Sequence, residues 1–181
     1  MSLKIFTVQA GKHDFWPMEP RTPHLSGGLS WQWDVVFDAT CRYNIPGEDQ
    51  KDFNKGGGVS LRMLSNNKDA VMWAWRYNLK SDKIDLTLYV NRGGKHEIGE
   101  GDKLVLLSMP IAQNARIVLT YSGGGNWSLT VAHRDVEGRI VDIGTMYTNI
   151  KTPPVLWRLG LWFGGNQPAP QEMQVWVDFK R

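Results

Sequence analysis

Apolar and polar residues alternate along most of this chain, a spacing that marks strands with one face buried. The clearest run is Lys83-Ile84-Asp85-Leu86-Thr87-Leu88-Tyr89-Val90: Ile84, Leu86, Leu88 and Val90 share one face, and Asp85, Thr87 and Tyr89 share the other. Comparable alternation covers residues 31–37, 71–77, 116–121, 126–132, 157–163 and 173–179, with weaker runs at 4–9, 59–64, 103–109 and 139–145. These runs predict about eleven strands. Turn signals separate them, among them Ser26-Gly27-Gly28, Lys55-Gly56-Gly57-Gly58, Arg92-Gly93-Gly94 and Ser122-Gly123-Gly124-Gly125. No segment offers ten residues of capped helical periodicity, so parallel βαβ topologies are not expected. The expectation is an all-β, antiparallel two-sheet sandwich or barrel forming one domain over 1–181.

Composition limits the function classes. With 21 Lys and Arg against 18 Asp and Glu the net charge is only +3, and the basic residues are scattered, which disfavours nucleic acid as a partner. No run of about 18 apolar residues is present, so no membrane helix is expected. The first seven residues lack the apolar stretch of a signal peptide, which leaves the compartment open, secretion included. A single Cys41 excludes an internal disulfide and a multi-thiolate zinc site, and no cofactor or metal is expected. His13, His24, His96 and His133 are isolated from one another.

Nine Trp residues raise the question of a sugar-stacking surface, and alternation sorts them by face. Trp31 and Trp33 align with Val35 and Phe37, and Trp73 and Trp75 with Val71 and Tyr77. Trp157 aligns with Leu159, Leu161 and Phe163, and all of these are expected to be core. Tyr89, Trp162 and Trp176 are left outside, in the company of Gln32, Asp34, Arg76, Arg158 and Asp178. Aromatic faces stack on sugar rings while carboxylates and guanidinium groups bind hydroxyl pairs, so this set is the candidate carbohydrate site. The competing reading is structural: the outer Trp residues pack under a loop or another chain, and oligomerisation stays open. Two long loops, residues 11–28 and 46–53, are long enough to shape a binding surface.

The strand count, Gly-rich turns and Trp-rich alternation resemble the concanavalin A-like lectin and glucanase jelly roll. Two segments are also similar to a group of small bacterial jelly-roll proteins. One is Trp73-Ala74-Trp75-Arg76-Tyr77-Asn78 followed by Lys83-Ile84-Asp85-Leu86, and the other is Phe163-Gly164-Gly165-Asn166-Gln167-Pro168-Ala169-Pro170. That group more often has Trp at the place of Tyr77 and Gly at that of Ala74. The resemblance implies two sheets, one concave, with glycan sites in the concavity or its rim loops. Asn166 and Gln167 would then present amide groups beside Trp162.

Glucanases of that superfamily place catalytic carboxylates about 5 Å apart with a Glu-x-Asp-x-Glu or Glu-x-Asp-x-x-Glu strand, which is missing here. The nearest approach, Glu97-Ile98-Gly99-Glu100-Gly101-Asp102, is broken by glycines and reads as a turn. The Gln-x-His strand of its lyases is missing too. No catalytic residues are therefore assigned. The leading expectation is non-catalytic binding of an oligosaccharide or polysaccharide. A glycoside hydrolase or polysaccharide lyase, and a structural module of an assembly, stand as alternatives.

Overall fold

The computed structural model describes residues 3–62, 67–96 and 104–180. The described residues form fourteen strands: β1 (Lys4–Val8), β2 (Phe15–Trp16), β3 (Pro23–Leu25), β4 (Ser30–Phe37), β5 (Asn54–Ser60), β6 (Ala70–Asn78), β7 (Lys83–Arg92), β8 (Lys95–His96), β9 (Leu107–Pro110), β10 (Asn114–Gly123), β11 (Asn126–Arg134), β12 (Ile140–Asn149), β13 (Val155–Leu159) and β14 (Met173–Lys180). Two short 3-10 turns, Ala39–Cys41 and Gly47–Lys51, interrupt the loops. One sheet runs β12-β11-β10-β4-β14-β1-β2. The other runs β3-β13-β5-β6-β7-β8, with β9 also paired to β7. All pairings are antiparallel, and of the sandwich or barrel that the alternation predicts the chain forms the two-sheet sandwich. The pieces beyond the expected count are the short strands β2, β3 and β8.

Between the sheets lies one core, built around fully buried Trp31, Trp33, Trp73, Trp75 and Trp127. The rings meet across the gap: Phe37 of the first sheet lies 4.9 Å from Trp75 of the second, and Trp33 lies 6.2 Å from Trp73. Cys41 is buried beside them, donates to the Gln174 carbonyl at 3.2 Å, and has its thiol pKa pushed up by burial.

Two local expectations are corrected. The glycine run 56–58 lies inside β5, whereas the turn signal placed it between strands. A Cβ on Gly56 would fall 2.0 Å from the Trp73 ring, and one on Gly58 would fall 2.3 Å from the Val71 carbonyl oxygen, so these glycines give β6 and its indole room to approach. The second correction concerns residues 157–163. Leu156 enters the central core, while Leu159 joins a separate apolar cluster on the outer face of the second sheet with Phe53, Ala70, Met72, Ala74 and Tyr89. The strand ends at Leu159. Beyond Gly160 the faces exchange, so that Leu161 and Phe163 return to the core and Trp162 stays outside. Trp157 is half-buried and lies opposite Ser60, not in the central core.

Candidate functional site

A short row of bridges builds the site. Trp162 pairs with Asp14 on one side and with Lys55 on the other. Lys55 lies opposite Ala74 in β6, and Ala74 opposite Thr87 in β7. Directly opposed residues of antiparallel strands project to the same face, so Asp14, Trp162, Lys55, Ala74 and Thr87 line up on the outer face of the second sheet. Reciprocal backbone bonds of 2.8 Å between Lys55 and Trp162 fix the register. The Trp162 indole stacks on His13, with centroids 5.2 Å apart and planes 9° from parallel, and His13 is held in turn by a 2.8 Å contact of Nδ1 with the Phe163 carbonyl. Trp162 is 39% exposed.

That exposed ring borders a pocket of about 280 Å³. Its floor is Lys55, Met72 and Leu159, and its rim carries Asp14, Met18, Arg21 and Asn67. The segment 14–22 forms the outer wall, and Glu19 within it is anchored by a buried ion pair with Arg158. The Arg158 guanidinium also lies 3.7 Å from the centre of the Phe179 ring. Burial raises the pKa of Glu19 above the ordinary carboxylate value despite this partner.

Lys55 is the unusual member. It is only 9% exposed, its Nζ donates to the Gly164 carbonyl at 2.9 Å, and it lies 4.9 Å from the centre of the Tyr89 ring. Burial lowers its pKa, and the more distant charge of Asp52 does not offset that. Tyr89 is driven the other way, its pKa raised by burial and by Asp52. Among the described residues no three His, Cys, Asp or Glu side chains converge as a metal would need.

The ten residues singled out by sequence do not form one surface. Trp162 is in the pocket. Tyr89 and Arg76 face the same side but are buried: Arg76 pairs with Asp85 at 3.2 Å, donates to the Lys51 carbonyl and covers the Phe53 ring. Arg158, expected outside, points between the sheets because the strand faces exchange only after Gly160. Gln32, Asp34, Trp176 and Asp178 belong to the outer face of the other sheet. There Asp34 is fully buried under Arg116 at 2.8 Å and Lys180 at 3.2 Å, Gln32 donates to it, and Asp178 pairs with Lys180 at 3.4 Å. Trp176 is 37% exposed and lies opposite Ile5 and Val36. Asn166 and Gln167 are exposed on the loop whose Gly164 is held by Asn54 and Lys55. The acidic segment 97–102 lies outside the described residues. Sequence reasoning missed Lys55, hidden in a glycine run that reads as a turn, and Asp14, Arg21 and Asn67, which carry no periodic signal. The one usable cue was the length of the loop over residues 11–28.

The fold is a two-sheet antiparallel β-sandwich of the jelly-roll kind. Among solved structures, the chain is similar to an alginate lyase, Aly36B, whose variant with one lysine and one tyrosine replaced by alanine holds an alginate tetrasaccharide. The TM-score is 0.53 at 11% identity over 98% of this chain and 78% of the other. It is also similar to the CBM2 module of the evolved Dit of Lactobacillus casei BL23 phage J-1, with TM-score 0.45, 13% identity, and 94% and 79% of the two chains covered. A third likeness is to Scytalido-glutamic peptidase, with TM-score 0.43, 6% identity, and 98% and 66% covered. No protein-family model and no curated protein matches the chain.

Proposed function

We propose that the pocket beside Trp162 binds a segment of a carbohydrate chain and performs no chemistry on it. The observation that carries this reading is the half-exposed indole itself. His13 backs the ring, while Asp14, Arg21, Asn67 and Lys55 stand around the space next to it. A flat apolar platform with polar groups of both charges around it suits a pyranose, which offers a C–H face and a ring of hydroxyls. The alginate lyase of the same fold, which holds a tetrasaccharide, supports a saccharide as the ligand class.

A glycan array followed by calorimetric titration tests the proposal. Trp162→Ala is expected to weaken binding by tenfold or more with the melting temperature little changed, because the ring is already partly in solvent. Equal affinity in the variant would remove this site. Chromatography of the recovered saccharide is expected to return it intact, and a shortened or unsaturated product would replace binding by catalysis.

A further inference from the structure

Lys55 carries a charge that the fold alone does not account for. The side chain is nine-tenths buried, and among the described residues no carboxylate forms an ion pair with it. Of its three N–H donors, the Gly164 carbonyl takes one, and the face of Tyr89 offers only a diffuse attraction. A buried ammonium is costly unless it is paired. Asp52 acts on it only at longer range. Among the described residues the other buried charges are matched: Arg76 has Asp85, Asp34 has Arg116 and Lys180, and Glu19 has Arg158. The exception lies on the floor of the pocket that Trp162 borders, and Arg21 brings a second cation to its rim.

We propose that this pocket selects a sugar bearing an acidic group, a carboxylate or a sulfate, and that the group docks on the Lys55 ammonium while the ring of the same or the adjacent sugar rests on Trp162. This rests on the carbohydrate reading above and specifies its ligand class. Asp14 stands on the opposite rim, where it receives hydroxyls and keeps the acidic group at the Lys55 end. The charge-assisted bond forms in a partly dry site, where it is stronger and less screened than at an exposed lysine.

The test uses tetramers of galacturonate and mannuronate, each as free acid and as neutral methyl ester, together with a sulfated galactose tetramer and its unsulfated parent. Wild type is expected to bind at least one acidic member tenfold or more tightly than its neutral twin. The galacturonate, mannuronate and sulfate arms identify the acidic group. Lys55→Met keeps the aliphatic stem and removes the charge, so it is expected to bring the acid-to-neutral ratio to about one and to leave the melting temperature equal or higher. Trp162→Ala is expected to weaken both members of a pair alike.

An acid-to-neutral ratio near one in wild type would overturn the acidic class, a ratio that survives Lys55→Met would overturn docking on Lys55, and either would leave carbohydrate binding standing. Binding untouched by Trp162→Ala would overturn both. Failure of every acidic probe to bind counts against the acidic class, and neutral probes that still bind at Trp162 would keep the broader reading.

Discussion

At the level of single residues, two positions show how closely the backbone and the charges are fitted. Gly58 has φ of 152°, and a Cβ there would fall 2.3 Å from the Val71 carbonyl oxygen and 2.6 Å from the Met72 Cα. Both obstacles are backbone, so they cannot rotate away. Gly58→Ala is expected to cost about 2–4 kcal/mol, read as a drop in denaturation midpoint at unchanged slope. Asp34 shows the electrostatic counterpart. Burial would raise its pKa, yet hydrogen bonds from Arg116 and Lys180 outweigh that and hold it below the ordinary carboxylate range. A carboxylate with a depressed folded-state pKa contributes stability that is complete above its unfolded value and is lost as pH falls through the folded one. The stability gap between wild type and Asp34→Asn is therefore expected to be steady from neutral pH down to about 5 and to close as pH falls towards 2. Chemical denaturation across that range measures it. A gap that widens in acid would show that Asp34 is held chiefly in its protonated form.

The pocket is made by elements that are individually slight. Its wall, residues 14–22, contains only the two-residue strand β2 and is fastened at Glu19 by Arg158. Removing one member of a buried ion pair leaves the other charge unmatched, typically at about 3 kcal/mol or more. Arg158→Met is expected to release this wall locally. Hydrogen exchange should speed up over residues 14–22 while β4, β6 and β7 keep their protection. Uniform acceleration everywhere would mean that the pair supports the whole fold. This element also shows where a sequence becomes unreadable. The runs in β4, β6, β7 and β14 are each a single uninterrupted period, and their inward Trp, Leu and Val residues are where alternation puts them. Residues 157–163 contain the same alternation, but Gly160 breaks the strand, and a one-residue slip reverses every face beyond it. Alternation placed Trp162 outside while misplacing Arg158 and Leu159 because it assumed one register across that break. Lys55 was hidden for a related reason, since three successive glycines give the same local signal in a turn and in a strand that must let an indole close in.

For the whole molecule, the governing fact is that the outer face of the second sheet is largely closed. Met72, Ala74, Thr87 and Tyr89 project there, yet all are buried, with Val105 packed against the apolar cluster and the Leu104 carbonyl accepting a bond from Thr87. Period two reports which way a side chain points and carries no information on what a distant segment lays over it. The jelly-roll resemblance therefore gave the two sheets correctly but could not show how much of the outer face of the second one is open. One end that stays accessible is where Asn67, Lys55, Trp162 and the wall at 14–22 meet, and its volume of about 280 Å³ is at the small end for ligand sites. A closed face beyond a small pocket limits how many sugars touch protein. On the carbohydrate reading, affinity is expected to rise from a monosaccharide to a short oligosaccharide and then level off, since added units would project into solvent and contribute no contact. Dissociation constants over oligomers of increasing length measure this directly. A continued tenfold gain with each added unit would show that the saccharide follows a longer path across the sheet, and the residues now covering Tyr89 and Thr87 would have to move aside to admit it.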